Sequence, residues 1–351
     1  MGSHLLLAIA RQASGLSQSE LAKRMKTSQP TISDLEAGRA SLVAKYRKAA
    51  AEALDLPEDY FTQDPPLHAS DSSPFHHRKL QSVGATKLAQ VHARMRMIQL
   101  QLEQLLHDAP DKREARGFKP MDPAEYAGGA TEIAQLLRLI WGVPSGPIPN
   151  LIELAESQGA IVIHYDFAGA RIDGVSRYVP TLPPMIFLDL YSPGDRARRT
   201  LAHEIGHLLM HVGRVPSPES EEEADAFASE LLTPAREIRG DLLMGVNLPR
   251  LVALKAKWGV SIQSLIMRAR DLDIITESQR RTLFVRLSQR GWRKVEPNAI
   301  EPEVPCALRS EIERQRDGGQ TAEQVAARLR CKPKEFLETY YPRRHTMRIA
   351  E

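Results

Sequence analysis

The residues richest in chemistry are His203-Glu204-Ile205-Gly206-His207. On a helix, side chains four apart share a face, so both imidazoles can reach one divalent ion. Glu204 stands beside them, where a general base for an attacking water belongs. Chance supplies this pattern roughly 0.03 times in a chain of this composition, so the surroundings must decide. A catalytic zinc keeps three protein donors and one open position, so a third ligand is needed. The acidic stretch Glu219–Glu230 follows. Phe227 and Leu231 mark the inward stripe of a helix there, and Glu223 precedes Phe227 by one turn. An inward carboxylate is expensive unless paired or metal-bound. Glu223 is therefore assigned as the third ligand, with Glu221 as the fallback and Glu222 solvated. His211, one turn beyond His207, reads as a supporting or surface residue. Tyr165 and Tyr178 are the candidates for polarising a carbonyl. Zinc fits this donor set best, and manganese or iron can occupy it too.

A second constellation lies at Leu16–Arg39. Ser17 and Glu20 spell a capping box after an apolar residue. Leu21, Ala22 and Met25 face inward. Ser28 caps a second helix, Pro30 is tolerated in its first turn, Ile32 and Leu35 bury it, and Gly38 ends it. Two short helices so joined can lay the second in a DNA major groove. Ser28, Gln29, Thr31 and Ser33 would then face base edges, and Gln29 can pair with adenine. Between 11 and 48 there are eight Lys/Arg against three acids. The whole chain carries only +3, too little to imply a nucleic-acid partner by itself.

These residues need elements to hold them. The chain has 351 residues, 42% apolar and 26% charged, enough for two or three soluble domains. Residues 5–62 read as an all-helical unit carrying the helix-turn-helix. Residues 63–84 are a Pro/Ser/His-rich flexible linker whose His68, His76 and His77 read as solvated. Residues 85–110 hold one long amphipathic helix. Its Leu88, Val91, Met95, Ile98, Leu102 and Leu105 repeat with coiled-coil spacing, so it either docks on its own chain or pairs a homodimer. Residues 118–292 mix helices with short apolar strands at 160–163, 174–179 and 185–188. The last is expected at a sheet edge beside the zinc helix, where a substrate peptide would pair. Residues 293–351 read as a Pro/Glu-rich linker followed by one or two helices. Thr321–Phe336 faintly suggests a second helix-turn-helix without capping signals. The fold class is α+β, mostly helical.

Cys306 and Cys331 are too few for a disulfide scaffold or a cysteine-rich zinc site. The longest apolar run near the start, Leu5–Ala10, is far short of a membrane span. Met1–His4 reads as a cloning scar. With no signal segment, a cytoplasmic location is expected.

The stretches IFLDLYSPGDRARRTLAHEIGHLLMH and EEEADAFASELLTP resemble the ImmA/IrrE metallopeptidase family, with similarity running from about 122 to 240. Leu232-Thr233-Pro234 stands where that family usually has Leu-Met-Pro. The resemblance implies a zincin-like domain with a small sheet beside the HExxH helix, and a gluzincin-like metalloendopeptidase. It implies His203, His207 and Glu223 as metal ligands and Glu204 as general base. It also implies a protein substrate, a helix-turn-helix repressor or this chain's own linker, cut in a stress response, with single-stranded DNA a candidate activator. Residues 16–39 resemble the Xre/Cro repressors, which implies double-stranded DNA as a partner and places Gln18 at that family's phosphate-contacting position. The alternative is a ligand-sensing transcription factor whose metal domain has little or no protease activity.

Overall fold

The structure is a computed structural model describing residues 3–63, 76–77, 84–107, 117–179 and 182–342. At the N-terminus, α1 (Ser3–Ala13), α2 (Gln18–Arg24), α3 (Gln29–Glu36) and α4 (Ala44–Leu54) close with a 3-10 turn at Glu58–Thr62. Leu6, Leu21, Ile32, Leu35 and Phe61 form their core. The expected capping box starts α2: the Ser17 amide donates to Glu20 Oε2 at 2.8 Å, and the Glu20 amide to Ser17 Oγ at 3.2 Å. Lys26 turns the chain into α3 in the left-handed region, at φ 51°.

The long helix, α5 (Ala85–His107), is buried on two faces. Ala93, Met97 and Leu100 join the N-terminal core. Val91, Met95, Ile98, Leu102 and Leu105 join a second core with the sheet and the C-terminal helices. Of the two expectations for this seam, docking on the chain itself is the one the structure shows. The apolar repeat is real, but its partner is intramolecular.

The sheet runs β1-β3-β4-β2, from β1 (His76–His77), β2 (Ile161–Tyr165), β3 (Gly174–Arg177) and β4 (Met185–Asp189). β2 and β4 are parallel, whereas β3 is antiparallel to both β4 and β1. Val162, Ile186 and Leu188 face the central helices. Ile161, Ile163, Met185 and Phe187 face α5 and the C-terminal helices. Covering both faces explains the unbroken apolar runs in β2 and β4. Two expectations are corrected. β4 lies inside the sheet instead of at its edge, and the segment read as linker contributes β1; His68 lies outside the described residues.

On the central face lie α6 (Gly129–Ile140), α7 (Leu151–Ser157), α8 (Gly194–Met210) and α9 (Pro218–Leu232). They are followed by α10 (Ala235–Leu243), α11 (Leu248–Trp258), α12 (Ile262–Asp271) and α13 (Glu277–Gln289). Helix α8 begins at Gly194. Pro193 precedes it without a side-chain cap, and the Ser192 hydroxyl donates to Asp189 instead.

Residues 295–306 are irregular yet pinned. Glu296 accepts from the Ile262 and Gln263 amides and pairs with buried Lys255, which also holds Asp195 at 2.6 Å. Glu303 pairs with Arg198 of α8 and accepts from the Ile152 amide. At Gly194, an added Cβ would lie 2.3 Å from the Ile300 carbonyl oxygen, so this strap rests directly on the start of α8.

Beyond it come α14 (Ala307–Asp317), α15 (Ala322–Arg328) and α16 (Pro333–Tyr340). Thr321 and Gln324 do form a capping box, correcting the sequence reading. Arg330, in the turn, has φ 54°. The spacing from capping box to turn to next helix repeats that of α2–α3. Here, however, Phe336 and Tyr340 of the second helix pack into the sheet's core. Among the described residues no helix is long and apolar enough to cross a membrane.

Candidate metal centre and DNA-contacting surface

Helices α8 and α9 pack tightly because position 206 is glycine. A Cβ there would stand 3.0 Å from the Phe227 ring and 3.4 Å from the Ala224 backbone. This close approach brings the acidic start of α9 over the two histidines. His203 Nε2 and His207 Nε2 lie 3.0 Å apart, and each is 3.3 Å from a carboxylate oxygen of Glu221. The three donor atoms all lie within 4.8 Å of one another. Two imidazoles and a carboxylate so placed fit a divalent cation such as zinc with a position left for water.

Glu223, the assigned ligand, is not in this group. Its Oε2 lies 2.8 Å from His211 Nε2, and His211 Nδ1 lies 2.8 Å from His207 Nδ1. Glu223 ends a chain of supports. If His207 offers Nε2 to a metal, its Nδ1 carries the proton and donates to His211 Nδ1. His211 then carries its proton on Nε2 and donates to Glu223. His203 is steadied in the same way: its Nδ1 lies 3.1 Å from Asp225 Oδ1, which also binds Arg199 at 3.1 Å. Outer groups of this kind fix ring orientation at metal sites. Asp225 and Arg199 were missed in the sequence; the i+4 spacing from Glu221 to Asp225 was the available signal.

His203, Glu204 and His207 are buried to 1%, 0% and 0% exposure. Burial, then the neighbouring His203, lowers the His207 pKa, while Glu221 opposes the shift. The ring is therefore neutral near pH 7, as a ligand must be. Burial also lowers the His211 pKa, against the pull of Glu223. Burial raises the Glu221 carboxyl, but hydrogen bonds from His203 and His207 outweigh it and hold the group at about 2. Of the two tyrosines, Tyr165 stacks edge-on against Phe167 and Phe187 in the far-side core. Tyr178 packs on the core that contains α8.

Residues 155–270, spanning α8 and α9, match a peptidase family described as the IrrE N-terminal-like domain. Residues 7–61 match a helix-turn-helix family. Together the two matches support an Xre-like helix-turn-helix fused to an ImmA/IrrE-type domain. No curated protein matches it.

In the Xre-like unit, Gln29 at the start of α3 is exposed. Its Nε2 donates to Gln18 Oε1 at 2.8 Å, and Gln18 Nε2 donates to Glu36 at 2.9 Å. Glu36 is clamped by Arg11 at 2.6 and 2.9 Å. This buttress orients Gln29 across the face that would meet DNA. Ser28 caps α3 and lies 2.8 Å from the Thr31 hydroxyl, and Arg39 donates to Ser33 at 3.3 Å. Ser28, Thr31 and Ser33 therefore already have local partners.

A cavity of about 780 Å³ lies elsewhere, where α1, α4, α5, β2 and α16 meet. Arg94, His164, Tyr165, Glu335 and Tyr341 are among its lining residues.

Proposed function

We propose that this DNA-binding protein is a transcriptional regulator whose ImmA/IrrE-type domain is a metal-dependent endopeptidase, acting on a helix-turn-helix repressor in a stress response. The observation that carries the reading is the convergence of two imidazoles and the Glu221 carboxylate beside buried Glu204. A zinc ion held by His203, His207 and Glu221 supplies electrophilic activation of water and of the scissile carbonyl. Glu204 takes the proton of the attacking water and hands it to the leaving amine, so one C–O bond forms as the amide C–N bond breaks. Gln29 and Gln18, with Ser28, Thr31 and Ser33 around them, form the face offered to double-stranded DNA.

The test compares the wild-type chain with Glu204→Gln. Both should bind zinc equally by elemental analysis. Only the wild type should generate new N-termini in a cell extract, read by terminal-peptide mass spectrometry. Equal yields of new N-termini from both chains would refute the reading. A second reading, a ligand-sensing regulator with little turnover, is favoured by the 780 Å³ cavity between the DNA-binding unit and the sheet. It predicts no Glu204-dependent termini.

A further inference from the structure

We propose that the 780 Å³ cavity between the DNA-binding unit and the sheet binds a small amphiphilic cation, a primary amine with a short apolar tail. This names the ligand class for the sensing reading and rests on it; proteolysis does not enter. The volume is that of a small-molecule pocket, which typically runs about 300–1,000 Å³. The cavity lies at the carboxyl ends of two parallel strands, with Tyr165 and Asp166 at the end of β2 and Leu190 and Tyr191 after β4. Open sheets bind ligands at such ends.

Charge selects a cation. The carboxylates of Asp55, Asp166, Glu335 and Glu338 line the cavity against one guanidinium, that of Arg94. They stay in excess after Lys332 pairs with Asp55 and Lys334 comes within 3.9 Å of Glu338. Arg94 is already engaged, donating to the Ala13 carbonyl at 3.0 Å. Helices α1 and α4 both end at this wall, through Ala13 and Leu54, and a helix C-terminus carries about half a negative charge. Burial pushes the Glu335 carboxyl up, and a cation beside it would reverse that shift. An organic anion would be repelled by all of these groups except Arg94.

An adjoining cavity of about 250 Å³ takes the tail. The two share His164, Leu190, Thr339 and Pro342. Val162, Ile163, Val304, Pro305 and Leu308 give the second one its apolar wall. Arg309, which also lines it, stands 5.2 Å from the centre of the Tyr341 ring. An amine head among the carboxylates with its hydrocarbon against these side chains would use both spaces. Residues of α1 and α4 and residues of β2 and α16 would then touch one ligand, which links its binding to the DNA-binding unit.

The test is calorimetric titration of the full-length chain with n-octylamine, n-butylamine and octanoate. Octylamine should bind saturably with a Kd below about 100 μM. Butylamine lacks half the tail and should bind at least about tenfold more weakly. Octanoate, of equal length and opposite charge, should also bind at least about tenfold more weakly. The double substitution Asp166→Asn with Glu335→Gln should weaken octylamine at least about tenfold. Should that chain fail to fold by circular dichroism, Asp166→Asn with Glu338→Gln decides, because both side chains are exposed; it should weaken octylamine at least about threefold. The proposal is overturned by the absence of saturable octylamine binding, by butylamine or octanoate binding as tightly, or by unchanged affinity in the folded variant. Octylamine binding that leaves affinity for duplex DNA unchanged supports the site and fails the sensing reading alone.

Discussion

Removing each of two glutamates separates a ligand from a support. Glu221 places Oε2 3.3 Å from His203 Nε2 and Oε1 3.3 Å from His207 Nε2, whereas Glu223 reaches His207 only through His211, across two contacts of 2.8 Å. Structural zinc sites are worth about 10–16 kcal/mol over four ligands, so one ligand carries roughly 3 kcal/mol, or roughly 100- to 1000-fold in affinity. Supporting residues typically carry about 10- to 100-fold. Glu223 is two links from the ion, which puts its loss near the lower figure. Glu221→Ala should therefore weaken zinc binding roughly 100-fold or more, and Glu223→Ala about tenfold. Glu223→Gln should lie closer to wild type, because its amide oxygen can still accept from His211. The assay is competitive titration against a fluorescent chelator at fixed pH, with circular dichroism to verify folding. Should Glu223→Ala weaken binding as much as Glu221→Ala, the ligand set drawn from the geometry is wrong.

Three further perturbations test other parts of the argument. Lys255 is 2% exposed between Asp195 and Glu296, so Lys255→Met strands two carboxylates and should destabilise the fold by about 3–5 kcal/mol in urea titration; a change below about 1 kcal/mol would deny the strap its role. Gln29→Ala should relax operator choice by about 1–3 kcal/mol, and Gln18→Ala should do part of the same by releasing Gln29; unchanged binding to specific and scrambled duplexes would refute the recognition face. His92 on α5 is held down at about 4 by burial first, then by Arg96 and Arg177. Its folded pKa lies below the unfolded value, so the stability it contributes is present above about pH 6.5 and lost as pH falls toward 4. Discounted for partial exposure, the loss is about 2 kcal/mol, and His92→Gln should remove that share of the decline in chemical denaturation at pH 7 and pH 4.5. An unchanged pH slope would refute the assignment.

Much of the fold was legible because local signals agreed with each other. The Ser17–Glu20 capping box, the inward Leu21 and Ile32, and Gly38 after α3 each specify a short helix and its end. The apolar runs of β2 and β4 stood out because both faces of the sheet are covered. What stayed hidden depends on contacts far apart in sequence. The heptad-like spacing of α5 fixes which residues are buried but not against what; here the partners are α1 and the sheet. Residues 295–306 look like a linker by composition. Only the folded chain shows Glu296 and Glu303 meeting Lys255 and Arg198.

The structure brings Glu221 to the two imidazoles and Glu223 to His211, for a physical reason that reaches beyond this chain. An inward stripe locates residues packed on apolar neighbours, and it correctly found Phe227, which touches Gly206. A catalytic ligand must instead stand where the packed interface gives way to a cleft, because the ion needs a position open to water. Glu221 is such a residue: 36% exposed, one turn before Ala224, and aimed at both imidazoles. Glu223 lies closer to the stripe, and its carboxylate is engaged by the third buried histidine of the site, His211. Burial alone therefore points to Glu223, whereas proximity to both rings points to Glu221. The better criterion is the carboxylate that sits at the cleft edge and still reaches both rings.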